Sequence, residues 1–455
     1  MTTRREISKD FLTDLRTAIA SGDEKKAQAL MEDLHAADIA EIYDEISTDE
    51  ARFLYLLLDS EKAADTIAEL DEDDREEFLE SIPSEIIAQQ FINEMDTDDA
   101  ADVIADMSEK KKQEVLRHIE DIDHSGDIVD LLSYDEDTAG GLMAKELVVV
   151  NQSWSVLTCL KELGRQADDV DEVYYLYVVD DDRILKGLVS LKDLALSKNT
   201  TIINKIMERD IHYATVDDDA EEVAQIMQKY DLVAIPVVDA IGRLVGRITI
   251  DDVVDVIREE AERDYQLASG LTEDVEYSDN IYRNARARLP WLIIGLTGGV
   301  FGALILGRFE SSLRIYPEMA FFIPLIAAMG GNVGIQSSAI IVQGLASNTL
   351  RLDGFVSKLS KDFAVAFINA LILSLLIFVY NFFISDSFAL TITVSTALMA
   401  VIIFASMFGT IIPILLNRFG ADPALATGPF ITTSNDIMGL LIYMLVGRML
   451  YGVFA

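Results

Sequence analysis

Cysteine is nearly absent from this chain: Cys159 stands alone among 455 residues. A single thiol excludes an internal disulfide framework, and four scattered histidines (His35, His118, His124, His212) leave no zinc set. Any metal held here therefore has oxygen ligands, which selects magnesium, calcium or manganese. Basic residues are scarce as well, 37 against 78 acidic ones, for a formal charge of −41. The shortage is uneven. From Ile281 onward ten basic residues meet seven acidic ones, whereas the first 280 residues carry 71 acidic and 27 basic side chains, a balance of −44. Such a surplus repels nucleic acid and anionic lipid and draws cations, divalent ones most strongly. The opening MTTRREISKDFLTDL lacks the apolar run of a cleaved signal peptide, so the acidic half is expected to stay in the cytosol.

The C-terminal half is rich in what the first half lacks. Five apolar segments, near 289–309, 320–346, 363–384, 388–416 and 424–453, each reach the roughly 20 residues needed to cross a bilayer. Arg283, Arg286 and Arg288 precede the first, Arg351, Lys358 and Lys361 separate the second and third, and Arg418 separates the fourth and fifth. All three groups fall on one side, so the positive-inside rule puts the N-terminus in the cytosol and the C-terminus outside. Arg308 and Arg314 fall on the outer side, and Arg448, near the outer end of the last segment, is read as snorkelling.

Two soluble units precede the spans. Residues 5–132 show apolar positions three and four apart, the helical period, and Ala-Ala-Asp recurs at Ala36, Ala63 and Ala100, spaced 27 and then 37. Stacked short helices and a single acidic bundle both fit. The second unit holds a cleaner duplication: 173–194 matches 232–253 at an offset of 59, pairing Tyr177 with Pro236, Asp180 with Asp239, Gly187 with Gly246 and Asp193 with Asp252. Each copy reads strand, turn, strand and helix start. This tandem resembles a pair of cystathionine-β-synthase (CBS) domains. The resemblance implies nucleotide (ATP) binding through a Gly-x-x-Ser/Thr-x-x-Asp stretch, present as Gly187, Ser190, Asp193 and as Gly246, Thr249, Asp252, with Pro236 nearby. The same spacing is also a variant capping box, which needs no ligand.

Acidic clusters mark three places. Asp251, Asp255, Glu259 and Glu262 form one stripe on a helix, Asp96, Asp98, Asp99 and Asp102 cluster in the first unit, and Asp217, Asp218, Asp219 and Glu221 in the second. Each alone reads as a solvated face. Facing one another, they would bind divalent cations that hold the units together, a sensor joined to the connecting helix.

Asp436 is the outlier of the spans, a carboxylate inside 431–447 with no basic neighbour within a turn. A charge at that depth costs about 2.5–3.5 kcal/mol on insertion scales and marks a polar path. A proton relay, a buried hydrogen-bond partner and a membrane receptor without flux remain alternatives. The second segment carries Pro324, Gly330, Gly331 and Gly334, expected to weaken its helix and free carbonyls, with close packing as the other reading, and it places Asn332 and Gln336 one turn apart. Gly428 and Pro429 are expected to loosen the start of the last segment, where Thr432 and Asn435 flank the carboxylate.

Together these features resemble the MgtE family of magnesium channels. The order matches along the whole chain, including the Pro-x5-Gly-Gly-Asn-x-Gly-x-Gln stretch of the second span; Gln343 departs from the basic residue expected after it. The resemblance implies a multidomain membrane protein: an N-terminal all-α superhelical domain (1–135), an α/β CBS-domain pair (136–255), a long connecting helix and linker (256–284) and a five-helix transmembrane domain (285–455). It also implies a homodimer in the plasma membrane that is no enzyme. In the family Asp436 would hold Mg2+ in the pore, and Mg2+ bound between cytosolic domains would close it. The ion path then comprises Asp436, Asn332, Gln336, Thr432 and Asn435, and the metal set Asp436, Asp251, Asp255, Glu259, Glu262, Asp96, Asp99, Asp217 and Asp219.

Overall fold

The computed structural model describes residues 7–167, 170, 172–272, 275, 281–346, 355–426 and 428–454. Arg351 of the expected inner basic group lies outside them, as does the side chain of Lys358. The chain divides into two compact units, Met1–Arg258 and Glu259–Ala455.

The first unit opens with short α-helices, from Lys9–Ser21 to Ile122–Leu131. Their brevity follows from frequent start signals: Ser8, Asp23, Ser47, Asp59 and Asp121 each accept hydrogen bonds from free helix N–H groups. The three Ala-Ala-Asp phrases fall in the helices Ala36–Ala40, Ser60–Ala68 and Thr97–Ala105, and each of these packs on the next. Alanine suits the contact because helices close in where side chains are small. Side-chain hydrogen bonds then recur near a 30-residue step: Thr48 to Glu77, Lys62 to the Glu32 carbonyl, Arg75 to Asp106 and Ser84 to Glu114. The helices therefore form a repeating superhelical stack, with a period that the irregular Ala-Ala-Asp spacing concealed.

The duplication is visible strand by strand. In the first copy β1 (Val149–Asn151) pairs in parallel with β2 (Tyr175–Val179), which pairs antiparallel with β3 (Leu185–Ser190). The second copy repeats this with β4 (Ala214–Thr215), β5 (Ala234–Val238) and β6 (Leu244–Thr249). Tyr177 opposes Leu188 as Pro236 opposes Arg247, so the offset of 59 also holds across the sheets. The second copy shares one core with the helical stack, through Met143, Val223, Met227 and Ile248, whereas the first copy has a separate core around Val150, Cys159 and Leu176.

Among the described residues, five helices are long and apolar enough to cross a membrane: Ile281–Arg308, Pro317–Ala346, Leu359–Ile384, Phe388–Arg418 and Gly428–Leu450. The fourth is the most buried and packs on the second, third and fifth. The second span departs from expectation: Ile323–Ala346 is one unbroken α-helix through Gly330, Gly331 and Gly334. Pro324 sits in its first turn, where a missing N–H costs nothing. The glycines are contact points, so the helix frees no carbonyls near Gly330. A Cβ on Gly409 would overlap the Gly334 carbonyl, which places the second and fourth spans in backbone contact.

Candidate ion path and cation-sensing cluster

Asp436 lies on the fifth span, half-buried, against the bare Cα of Gly331. A Cβ on Gly331 would stand 3.5 Å from Asp436 Oδ1 and 3.2 Å from Thr432 Cγ2. Glycine there leaves the carboxylate room beside the second span. Thr432 Oγ1 donates to the Gly428 carbonyl at 2.8 Å, so that carbonyl is not free either. Asn435 turns the other way. It is 1 % exposed, wedged against Gly334, and its amide atoms have no partner among the described residues. Asn332 and Gln336 are exposed and line a cavity facing the third span, to which no fifth-span residue contributes. The structure thus brings Thr432 and Gly331 to Asp436 and leaves Asn332 and Gln336 on another flank.

The acidic cluster of the first unit is drawn together across domains. Asp96, Asp98 and Glu146 each offer a carboxylate oxygen within 4.8 Å of the others. Glu146 comes from the segment entering the CBS pair and caps the helix Thr97–Ala105, accepting from Thr97 N at 3.2 Å and Thr97 Oγ1 at 2.8 Å. Lys145 pairs with Asp130 at 2.7 Å, anchoring the same segment. Burial, then Asp252, Asp99, Asp96 and Glu146, push Asp98 well above the usual carboxylate range. Asp99 and Asp102 are open to solvent on one side. The chain around them still strips enough water to push both up to about 7, with Asp252 adding to the effect on Asp99 and Arg75 opposing it on Asp102. Asp252 rises to about 6, burial outweighing its bonds from Thr249 N (3.1 Å) and Oγ1 (2.7 Å). Arg75 is committed to Asp106 at 2.6 Å. Carboxylates crowded at this spacing suit a hard cation, since octahedral Mg2+ at about 2.1 Å sets its ligands about 3–4.2 Å apart.

The other acidic candidates are placed differently. Asp219 caps the helix Ala220–Tyr230, Asp218 accepts from Thr215, and Asp217 is exposed. Asp251, Asp255, Glu259 and Glu262 are exposed along the helix Ile250–Ser269, with Arg258 4.0 Å from Asp255. Further along that helix, Asp264 is pushed up by burial and then by Asp422 and Glu260. In the nucleotide motifs both acids act as capping partners, Ser190 Oγ donating to Asp193 Oδ2 at 2.7 Å just as Thr249 does to Asp252. Gly187 and Gly246 admit neighbouring backbone, since a Cβ on Gly246 would lie 2.8 Å from the Ala144 carbonyl and one on Gly187 would overlap that of Glu208. Asp193 is exposed, whereas Asp252 is half-buried beside Asp98.

Glu146, Asp264 and Asp422 were missed by sequence reasoning, because the fold brings each to a partner distant in the chain.

Family models match the MgtE intracellular N domain over 34–137, CBS domains over 139–197 and 203–259, and the MgtE divalent cation transporter domain over 323–446. The magnesium transporter MgtE of Thermus thermophilus is 34% identical over 443 residues, 96% of this chain and 97% of that one. The chain belongs to the MgtE family. Magnesium transporter MgtE of Bacillus subtilis is likewise 34% identical, over 69% of each chain. Among solved structures, the cytosolic domain of the Mg2+ channel MgtE in complex with ATP matches with a TM-score of 0.51 and 34% identity, covering 54% of this chain and 99% of its own. The soluble part of a magnesium transporter matches with a TM-score of 0.50 and 30% identity, covering 56% and 99%. This family member is thus a multi-pass membrane protein with an all-α superhelical stack, an α/β CBS pair and, among the described residues, five apolar helices long enough to span.

Proposed function

We propose that this family member is a Mg2+-selective channel that imports Mg2+ across the plasma membrane as a homodimer, with its N-terminus in the cytosol and its C-terminus outside. The observation that carries the reading is the half-buried Asp436, seated against Gly331 within the family's second-span motif. Mg2+ takes six oxygens and sheds water reluctantly, so one carboxylate per chain cannot replace its shell. Two Asp436 side chains facing across a two-fold axis would attract the ion electrostatically and pass it with most of its water. Weak holding favours release as much as entry. The family is one of transporters, and no enzymatic reaction is proposed.

Closure is assigned to the cytosolic carboxylates. Asp96, Asp98, Glu146 and Asp252 repel one another until a divalent cation joins them, so rising cytosolic Mg2+ favours the docked arrangement of stack and CBS pair. Asp264 with Asp422 is a second like-charge contact that a cation would relieve. The related cytosolic domain solved with ATP supports nucleotide binding, and we assign it to the first CBS copy because Asp193 is exposed there. The domain limits proposed are 1–135, 136–255, 256–284 and 285–455.

Liposome flux tests the pore assignment. Asp436→Ala should abolish Mg2+ uptake while the protein still inserts and purifies as the parent does; unchanged uptake would sink the assignment.

A further inference from the structure

Asn332 and Gln336 of the second span share their cavity with Asn369 of the third. The cavity measures about 360 Å3, and Ile372 and Leu373 complete its third-span wall. Asn332 is the sixteenth residue of the 30-residue span Pro317–Ala346, and Asn369 the eleventh of the 26-residue span Leu359–Ile384. Both therefore lie near the middle of the membrane. All three carboxamides are exposed on the chain, and none has a hydrogen-bond partner among the described residues. Unpartnered amides are costly in hydrocarbon, so three of them converging at mid-depth require water or another polar occupant.

The dimensions and chemistry fit one such occupant. At about 30 Å3 per water, the cavity has room for an ion and its six waters. A Mg2+ ion that keeps its shell presents outward-pointing water hydrogens, which carboxamide oxygens accept. Neutral acceptors hold such an ion loosely, as a conducting path demands. We propose that Asn332, Gln336 and Asn369 form an outer-sphere site for a hydrated divalent cation, separate from Asp436, with Asn369 as the third span's contribution to the ion path. The proposal rests on the channel reading above.

The shortage of cysteine makes the site testable in the full-length protein in liposomes. Cys159 is buried, so Asn369→Cys introduces the one thiol readily open to a charged thiosulfonate reagent. It should react at least about tenfold faster than Leu376→Cys on the same span, and millimolar Mg2+ should slow it several-fold. A rate equal to that of Leu376→Cys would mean that lipid or a second copy of the chain covers the cavity, and a fast rate indifferent to Mg2+ would mean water without an ion; either overturns the proposal. In flux, Asn369→Leu should lower Mg2+ uptake about fivefold without moving the Mg2+ concentration of half-closure, while Asn369→Gln keeps most of it. Parental flux in Asn369→Leu, or equal loss in both variants, also overturns it. The Asp436→Ala assay reports separately on the channel reading, so the two failures are distinguishable.

Discussion

Asp252→Asn gives the sharpest test of the cytosolic cluster, because Asp252 is the strongest outside charge acting on both Asp98 and Asp99. With Asp99 and Asp102 titrating at about 7, each is about half protonated at pH 7. A divalent ion needs carboxylates, so binding should expel about one proton per chain from this pair, with Asp98 adding to it. Affinity for Mg2+ should then rise about tenfold per pH unit for each proton released, levelling off once the cluster is ionised above about pH 8. Without the ion the sign is opposite. The folded cluster binds protons more tightly than the unfolded chain, so its contribution to stability is greatest below the ordinary carboxylate range near 4 and is lost as pH rises through about 7. Solvent on one side of Asp99 and Asp102 trims the size but not the direction. Calorimetric titration of the full-length protein with Mg2+ at pH 7, in two buffers of different ionisation enthalpy, counts the protons; Asp252→Asn should release fewer. Heats that do not depend on the buffer, or equal counts in parent and variant, would refute the reasoning.

Gly409→Ala should lower the melting temperature in detergent and reduce flux, since its Cβ would overlap the Gly334 carbonyl and overpacking costs about 1–3 kcal/mol. Gly295→Ala, with nothing within 4 Å of the added atom, should be neutral or stabilise by up to about 1 kcal/mol; equal melting of the two variants would dismiss the close approach of the spans. Asp193→Ala should weaken ATP binding at least tenfold, and Asp252→Ala should leave it within about twofold. The reverse order in a nucleotide titration would move the site to the second CBS copy.

Features written in a local period were legible from the residues. Hydropathy marked the five spans because each must be apolar along its whole length, and the 59-residue offset carried strand register because both copies fold alike, down to the positive φ shared by Arg183 and Gly242. Glycine was harder to read. Gly330, Gly331 and Gly334 lower helix propensity in isolation, yet packing against Thr432, Asn435 and Val401 keeps the helix whole. Pairings set by the fold were out of reach, for nothing near Glu146 in sequence names Thr97 and nothing near Asn369 names Gln336. Capping explained the spacing of Ser190 and Asp193, while the difference in exposure between Asp193 and Asp252 depends on the helical stack beside the second copy.

Gly270 and Gly428, both at positive φ, meet where the helix Ile250–Ser269 ends and the fifth span begins. A Cβ on Gly428 would overlap the Ala268 carbonyl, and one on Gly270 would lie 2.5 Å from Pro429 Cγ. Backbone rests on backbone and proline ring, with the Trp291 indole beside them at 3.7 Å from the atom added at Gly270. Contacts this close leave a coupling little play, so a small rotation of the first helix should be passed on to the second. Asp436 stands eight residues further on, about 12 Å along that same rod.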